Sequence, residues 1–209
     1  MSRRIVLATR NAGKVVEVRR ILAAEPALAG LGVELVGLES FPDAPEVDET
    51  GDTFAANALL KAHAIASYTG LAALADDSGL CVDALGGDPG VRSARWAGEP
   101  SDDAANLSLV LSQTADVTDE RRGAHFACAA ALVVPGIGER VAEALMRGSL
   151  IRAPRGDGGF GYDPIFVPDG ETRTSAELSP AEKDAISHRG QAFRAIAPTV
   201  ADLLGGRSP

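Results

Sequence analysis

Short apolar runs alternate with helically patterned segments along the whole of this chain, and nothing linker-like interrupts them. That alternation restricts the fold to the mixed α/β class. Residues 4–8, 33–38 and 71–75 read as three strands, the third ending at Asp76 and Asp77. Val15, Val18, Ile21 and Leu22 recur at helical spacing within residues 13–24, as do Phe54, Ala58, Ala62 and Ile65 within residues 53–68. Asp52 is the expected N-cap of the latter helix. A helix is expected over residues 102–112, then two long strands over residues 124–134 and 139–150 around Pro135-Gly136-Ile137-Gly138. Residues 141–146 also fit a helical pattern. A short strand is expected over residues 164–167, a helix opening at Ser179-Pro180, and a final helix over residues 191–204.

The chain's 209 residues suit one domain, or one domain with two lobes, spanning residues 1–209. Aromatic residues are only 4%, so Ala, Leu and Val must build the core. A net charge of -9 argues against binding a nucleic-acid backbone, which needs basic patches. It leaves room for a small phosphorylated ligand, which local cations and a metal can hold. Cys81 and Cys128 lack metal-ligand spacing. No signal peptide and no run of membrane-spanning length is visible, so a reducing, cytoplasmic setting is expected.

Four polar clusters carry the chemistry. Thr9-Arg10-Asn11-Ala12-Gly13-Lys14 lies between a strand and a helix, where free backbone N–H groups and the dipole stabilise phosphate. It is not a P-loop, because Ala8 and Val15 stand where that motif needs Gly and Ser or Thr. Behind Glu49-Thr50-Gly51, the residues Thr53, Asn57 and Lys61 share one helix face opposite the apolar stripe. Asp76-Asp77-Ser78-Gly79 precedes the Gly-rich loop Gly86-Gly87-Asp88-Pro89-Gly90, an arrangement suited to presenting Mg²⁺ to a phosphate. Last, Gly158-Gly159-Phe160-Gly161-Tyr162-Asp163 sets an aromatic among glycines, suited to stacking on a base, while Lys183 and Ser187-His188-Arg189-Gly190 supply donors.

In this order, and over nearly the whole chain, these clusters closely resemble the inosine triphosphate pyrophosphatase family. The resemblance implies a two-lobed α/β fold around a long curved mixed sheet, with flanking helices and a central cleft, and a homodimer. It implies that Thr9, Arg10, Asn11, Ala12, Gly13 and Lys14 bind the triphosphate, that Asp77 binds Mg²⁺ and accepts a proton, and that Glu49 assists with the metal. Ser78 would touch substrate. Phe160, Gly161, Tyr162, Asp163, Lys183, His188 and Arg189 would contact the nucleotide, chiefly its base. Arg10 stands where many relatives carry Gly. The implied reaction is hydrolysis of XTP, ITP or dITP to the monophosphate and pyrophosphate, with Lys14 and Lys61 offsetting charge on the leaving group. Two other readings are a Maf-like pyrophosphatase with another base preference and a non-catalytic nucleotide sensor. The sensor should have lost a carboxylate or a phosphate lysine, and the chain retains Asp77, Glu49, Lys14 and Lys61.

Overall fold

A computed structural model describes residues 3–205. Among these residues the strands are β1 (Arg4–Leu7), β2 (Glu34–Gly37), β3 (Ala72–Val82), β4 (Gly123–Val134), β5 (Gly138–Leu150) and β6 (Phe166–Pro168). They form one sheet in the order β2-β1-β3-β4-β5-β6. The sheet is mixed: β1 pairs parallel with β2 and β3, Val6 lying opposite Val36 and Ala73, whereas β5 and β6 are antiparallel. The helices are α1 (Ala12–Ala23), α2 (Phe54–Thr69), α3 (Asp103–Gln113), α4 (Pro180–Ile186) and α5 (His188–Gly205). The α/β class expected from the alternation is what the chain adopts.

The chain divides into two compact units. One comprises the residues up to Asp77, the segment Cys128–Ala144 and the chain from Arg189 onward; the other comprises Ser78–Ala127 and Leu145–His188. In the first unit, the period-2 alternation of strands sorts the core. Ile5, Leu7, Ala72, Leu74, Ala130 and Leu132 pack with Val18, Ile21 and Leu22 of α1 and with Phe193, Ile196 and Val200 of α5. Val6, Ala73, Ala75, Ala129, Ala131 and Val133 pack instead with Ala58, Ala62, Ile65 and Ala66 of α2. Strands covered on both faces read as unbroken apolar runs, which explains why β1 and β4 lack polar alternation. In the second unit, Leu80 and Val82 of β3 join Leu107 and Val110 of α3, Met146 and Leu150 of β5, and Phe126 and Phe166. Those two rings meet edge-to-face with centroids 4.8 Å apart.

Several boundaries differ from expectation, each for a local reason. β3 does not stop at the acids but continues to Val82, so Asp76 and Asp77 lie inside a strand and are buried. Gly79 permits that course, because a Cβ there would collide with the Gly90 carbonyl and the Ser93 hydroxyl. The cap of α2 is Thr53, whose hydroxyl accepts from the Ala56 N–H, and not Asp52. Residues 141–146 are strand, resolving the ambiguity against a helix. The short strand is Phe166–Pro168, preceded by a 3₁₀ turn at Asp163–Ile165. α4 begins as expected, with a reciprocal Ser179–Glu182 capping box and Pro180 at its first position. Ser187 ends α4, and α5 starts at His188, ahead of the expected residue 191.

The α2 face of the first unit is built mostly from alanine, whose small side chain favours close approach of the helix that carries Asn57 and Lys61 to the strands. Ala62 is completely buried there. Ala62→Leu should therefore lower stability by about 1–3 kcal/mol through overpacking. An unchanged urea midpoint would show that this face has slack.

Candidate active site

Consecutive residues of a strand point to opposite faces of the sheet. Asp76 and Asp77 are neighbours in sequence, so they meet different partners. Asp76 lies on the side of α1 and α5. Its Oδ2 is 3.1 Å from Lys14 Nζ and 3.2 Å from Arg189 Nε. Asp77 lies on the side of α2. Its Oδ2 accepts from the Asn57 amide at 3.2 Å, and its Oδ1 is 3.3 Å from Lys61 Nζ. Lys61 also donates to Glu49 Oε1 at 2.7 Å. One ammonium thus ties the two carboxylates that the family resemblance assigns to a metal.

The surroundings drive the two acids apart electrostatically. Burial alone would raise Asp76, but Lys14, Arg189 and Lys61 override it and hold its carboxyl well below the usual carboxylate range. Asp77 goes the other way: burial raises it, the Glu49 charge adds to that, and Lys61, Lys14 and Asn57 only partly offset the rise. Lys61 is penalised by burial yet ends above its ordinary value, because Asp77, Asp76 and Glu49 stabilise its charge. The two neighbouring carboxylates are thus pushed in opposite directions, an arrangement that lets acids of one type take divided roles.

Local structure explains how these groups are delivered. The Asn11 side chain caps α1 by accepting from the Lys14 N–H at 3.0 Å, and Thr9 Oγ1 accepts from the Asn11 N–H at 3.2 Å. The turn that carries Arg10, Ala12 and Gly13 is thereby held while Arg10, Asn11 and Ala12 stay exposed. Arg10 donates to the Ala44 carbonyl at 2.7 Å, which anchors the turn to the loop after β2. Asn57 is buried, and its Oδ1 accepts from the Gly51 N–H at 2.7 Å. Glycine is required at 51, since a Cβ would lie 2.7 Å from both Asn57 Oδ1 and Ala56 Cβ. The same amide therefore orients Asp77 and anchors the segment that presents Glu49.

In the second unit, Ser78 lies within β3 directly after Asp77, and the Phe160 loop is pinned at several points. The Phe160 N–H donates to Asp163 Oδ2 and the Gly161 N–H to Asp103 Oδ2, both at 2.9 Å, while the Tyr162 hydroxyl donates to the Ser93 carbonyl at 2.7 Å. Buried Lys183 pairs with Asp163 and holds its ammonium 5.2 Å from the Phe160 ring centre. His188 is buried and stacks flat on Phe126 at 4.8 Å. Phe160, Asp163 and Lys183 are thus brought together as one group. The resemblance implies a nucleotide contact for Arg189; in this structure its guanidinium is buried against Asp76 and Glu17.

Sequence reasoning missed Glu17, Asp103 and the orienting role of Asn57. Glu17 left a signal: it is three residues after Lys14 and four before Ile21, on the inward stripe of α1. Asp103 left none, because its partner is the Gly161 N–H, 58 residues later.

Asp77 and Glu49 are the residues that fit a divalent cation. Among the described residues no group of three or more His, Cys, Asp or Glu side chains forms a ready ligand set. Mg²⁺ typically takes one or two carboxylates and fills its octahedron with water and substrate phosphate. In these ion pairs the four carboxylates of Glu17, Glu49, Asp76 and Asp77 face the three cations of Lys14, Lys61 and Arg189.

Comparison with known proteins identifies the family. The model of the Ham1 family matches residues 5–199. A dITP/XTP pyrophosphatase of Streptomyces coelicolor is 63% identical, with 97% of this chain and 99% of that protein covered. One of Mycobacteroides abscessus is 52% identical, covering 99% of this chain and all of that protein. Among solved structures, a HAM1 protein from Coxiella burnetii superposes with a TM-score of 0.83 at 40% identity, over 95% of this chain and 98% of that one. The resemblance read from the ordered motifs is borne out, and the chain belongs to the Ham1 family.

Proposed function

We propose that the protein hydrolyses non-standard purine nucleoside triphosphates, XTP, ITP and dITP, to the nucleoside monophosphate and pyrophosphate. The observation that carries the reading is the Glu49–Lys61–Asp77 arrangement beside an Asp76 that holds Lys14. The relatives named dITP/XTP pyrophosphatase support the substrate class. The open N-terminus of α1, with Thr9, Asn11 and Lys14, suits the triphosphate. Asp77, its pKa raised, accepts a proton from the attacking water. Lys61 and Lys14 offset charge on the departing pyrophosphate. Mg²⁺ at Asp77 and Glu49 would neutralise phosphate charge and lower the pKa of a water. Asn57 keeps Asp77 aimed throughout.

Base choice falls to the Phe160 loop with Lys183 and His188. Hypoxanthine and xanthine present an acceptor at O6 and a donor at N1, whereas adenine presents the reverse pair. Donors facing position 6 therefore reject adenine by leaving its amino group opposite another donor. Guanine adds a 2-amino donor, which a lysine cannot accept from. The family resemblance further supports a homodimer, and the two free cysteines fit a cytoplasmic setting.

The reading is tested by pyrophosphate release across a panel of nucleoside triphosphates. ITP, XTP and dITP should be turned over in preference to ATP and GTP, and only with a divalent cation. Equal rates for all purines would remove the base reading, and full activity in excess EDTA would remove the metal.

Asp77→Asn keeps the side-chain shape but loses the charge and the basicity. It should cost roughly 10²–10⁴-fold in kcat with the fold intact by circular dichroism. Near wild-type turnover would exclude Asp77 as the proton acceptor.

His188→Ala should reduce the ITP-over-ATP ratio of kcat/KM by roughly tenfold, the worth of one hydrogen bond in a polar pocket. Loss of its stacking on Phe126 also predicts a lower melting temperature. If stability drops while the ratio stays fixed, His188 serves packing alone.

A further inference from the structure

Glu17 is absent from the machinery described above, yet it is buried at 6% exposure on the helix that carries Lys14. Its Oε2 accepts from Arg189 Nη1 at 2.6 Å. Arg189 reaches Asp76 Oδ2 with Nε at 3.2 Å and Nη2 at 3.3 Å. Lys14 Nζ lies 3.1 Å from that same oxygen. Charges therefore alternate along one buried chain, from Glu17 through Arg189 and Asp76 to Lys14. A single oxygen of Asp76 serves two cations, and the shorter of the Arg189 contacts is to Glu17.

We propose that Glu17 is a positioning residue for Lys14: by holding Arg189, it leaves Asp76 enough unspent charge to fix the Lys14 ammonium beside the phosphate turn. This rests on the reading of Lys14 as a phosphate-binding group. The physical reason is competition. Interactions in the interior are weakly screened, so each charge in the chain feels its neighbours strongly. With Glu17 ionised, Arg189 is shared between two anions. With Glu17 neutral, more of its positive charge bears on Asp76 and repels Lys14 from the common oxygen. The Lys14 side chain retains 14% exposure, so it has an outlet toward solvent.

Glu17→Gln removes the charge while keeping an oxygen that can accept from Arg189. The first measurement is acylation of lysines by acetic anhydride, read by peptide mass spectrometry, with Lys183, which pairs with Asp163, as the internal reference. Lys14 should label roughly threefold faster in Glu17→Gln than in the wild type, the reference remaining unchanged. The second is a double-mutant cycle on kcat/KM. Glu17→Gln alone should cost about tenfold with every triphosphate, and less than about twofold when added to Lys14→Ala. Unchanged labelling of Lys14, or a full tenfold loss on top of Lys14→Ala, would overturn the proposal and leave Glu17 as a structural partner of Arg189. If Lys14→Ala alone keeps wild-type kcat/KM, the phosphate role of Lys14 fails, while the labelling still reads the link between the two residues. Should Glu17→Gln not fold, Glu17→Asp keeps the charge on a shorter arm. It should then protect Lys14 from acylation to within about twofold of the wild type, and greater exposure would count against the charge argument.

Discussion

The rest of the site depends on the alternation of a single strand. β3 carries Asp76 and Asp77 in succession, and a strand sends successive side chains to opposite faces. Had the same pair stood on a helix, the two acids would have pointed only about 100° apart around the axis and not to opposite faces. Here one belongs to the face packed by α1 and α5, the other to the face packed by α2. The first acid is tied to Lys14 and Arg189, and the second to Lys61 and Asn57. Extending β3 past the acids makes this sorting possible, because both residues then have strand geometry.

That sorting converts two chemically identical groups into two different ones. Asp76, compensated by cations, is a permanent anion that organises its neighbours. Asp77, buried near another carboxylate, holds a proton more readily than an ordinary aspartate. A proton acceptor must have some affinity for the proton, and an organising anion must have little. Neither property is intrinsic to the side chain. Both follow from which helix covers which face of the sheet.

Much of this was legible in the sequence. The apolar spacing of Val15, Val18, Ile21 and Leu22 placed α1, and Ser179-Pro180 marked the start of α4 because cap and first-turn chemistry are local. The run of β3 beyond Ala75 was hidden, because Asp, Ser and Gly have poor strand propensity and only tertiary contacts keep them extended. The cap of α2 was misplaced by one residue, since Asp52 and Thr53 are both good caps and the choice depends on which side chain reaches the Ala56 N–H. His188-Arg189-Gly190 looks like a helix end because Gly usually punctuates, yet it opens α5. Site residues were legible where ordered motifs carried them. The link from Arg189 to Asp76 and Glu17 was not, for it joins positions 113 and 172 residues apart.

That separation has a consequence for synthesis. Asp76 becomes buried among α1, β3 and β4, but one of the cations that compensates it is made 113 residues later. α5 also supplies Phe193, Ile196 and Val200 to the core of the first unit. A nascent chain that has not yet released α5 from the ribosome therefore presents an uncovered apolar face with an undercompensated carboxylate at its centre. It has good reason to stay open, and so to leave the charged site unassembled. Folding of this unit therefore couples segments far apart along the chain: the helix that closes the core also balances the charge of Asp76.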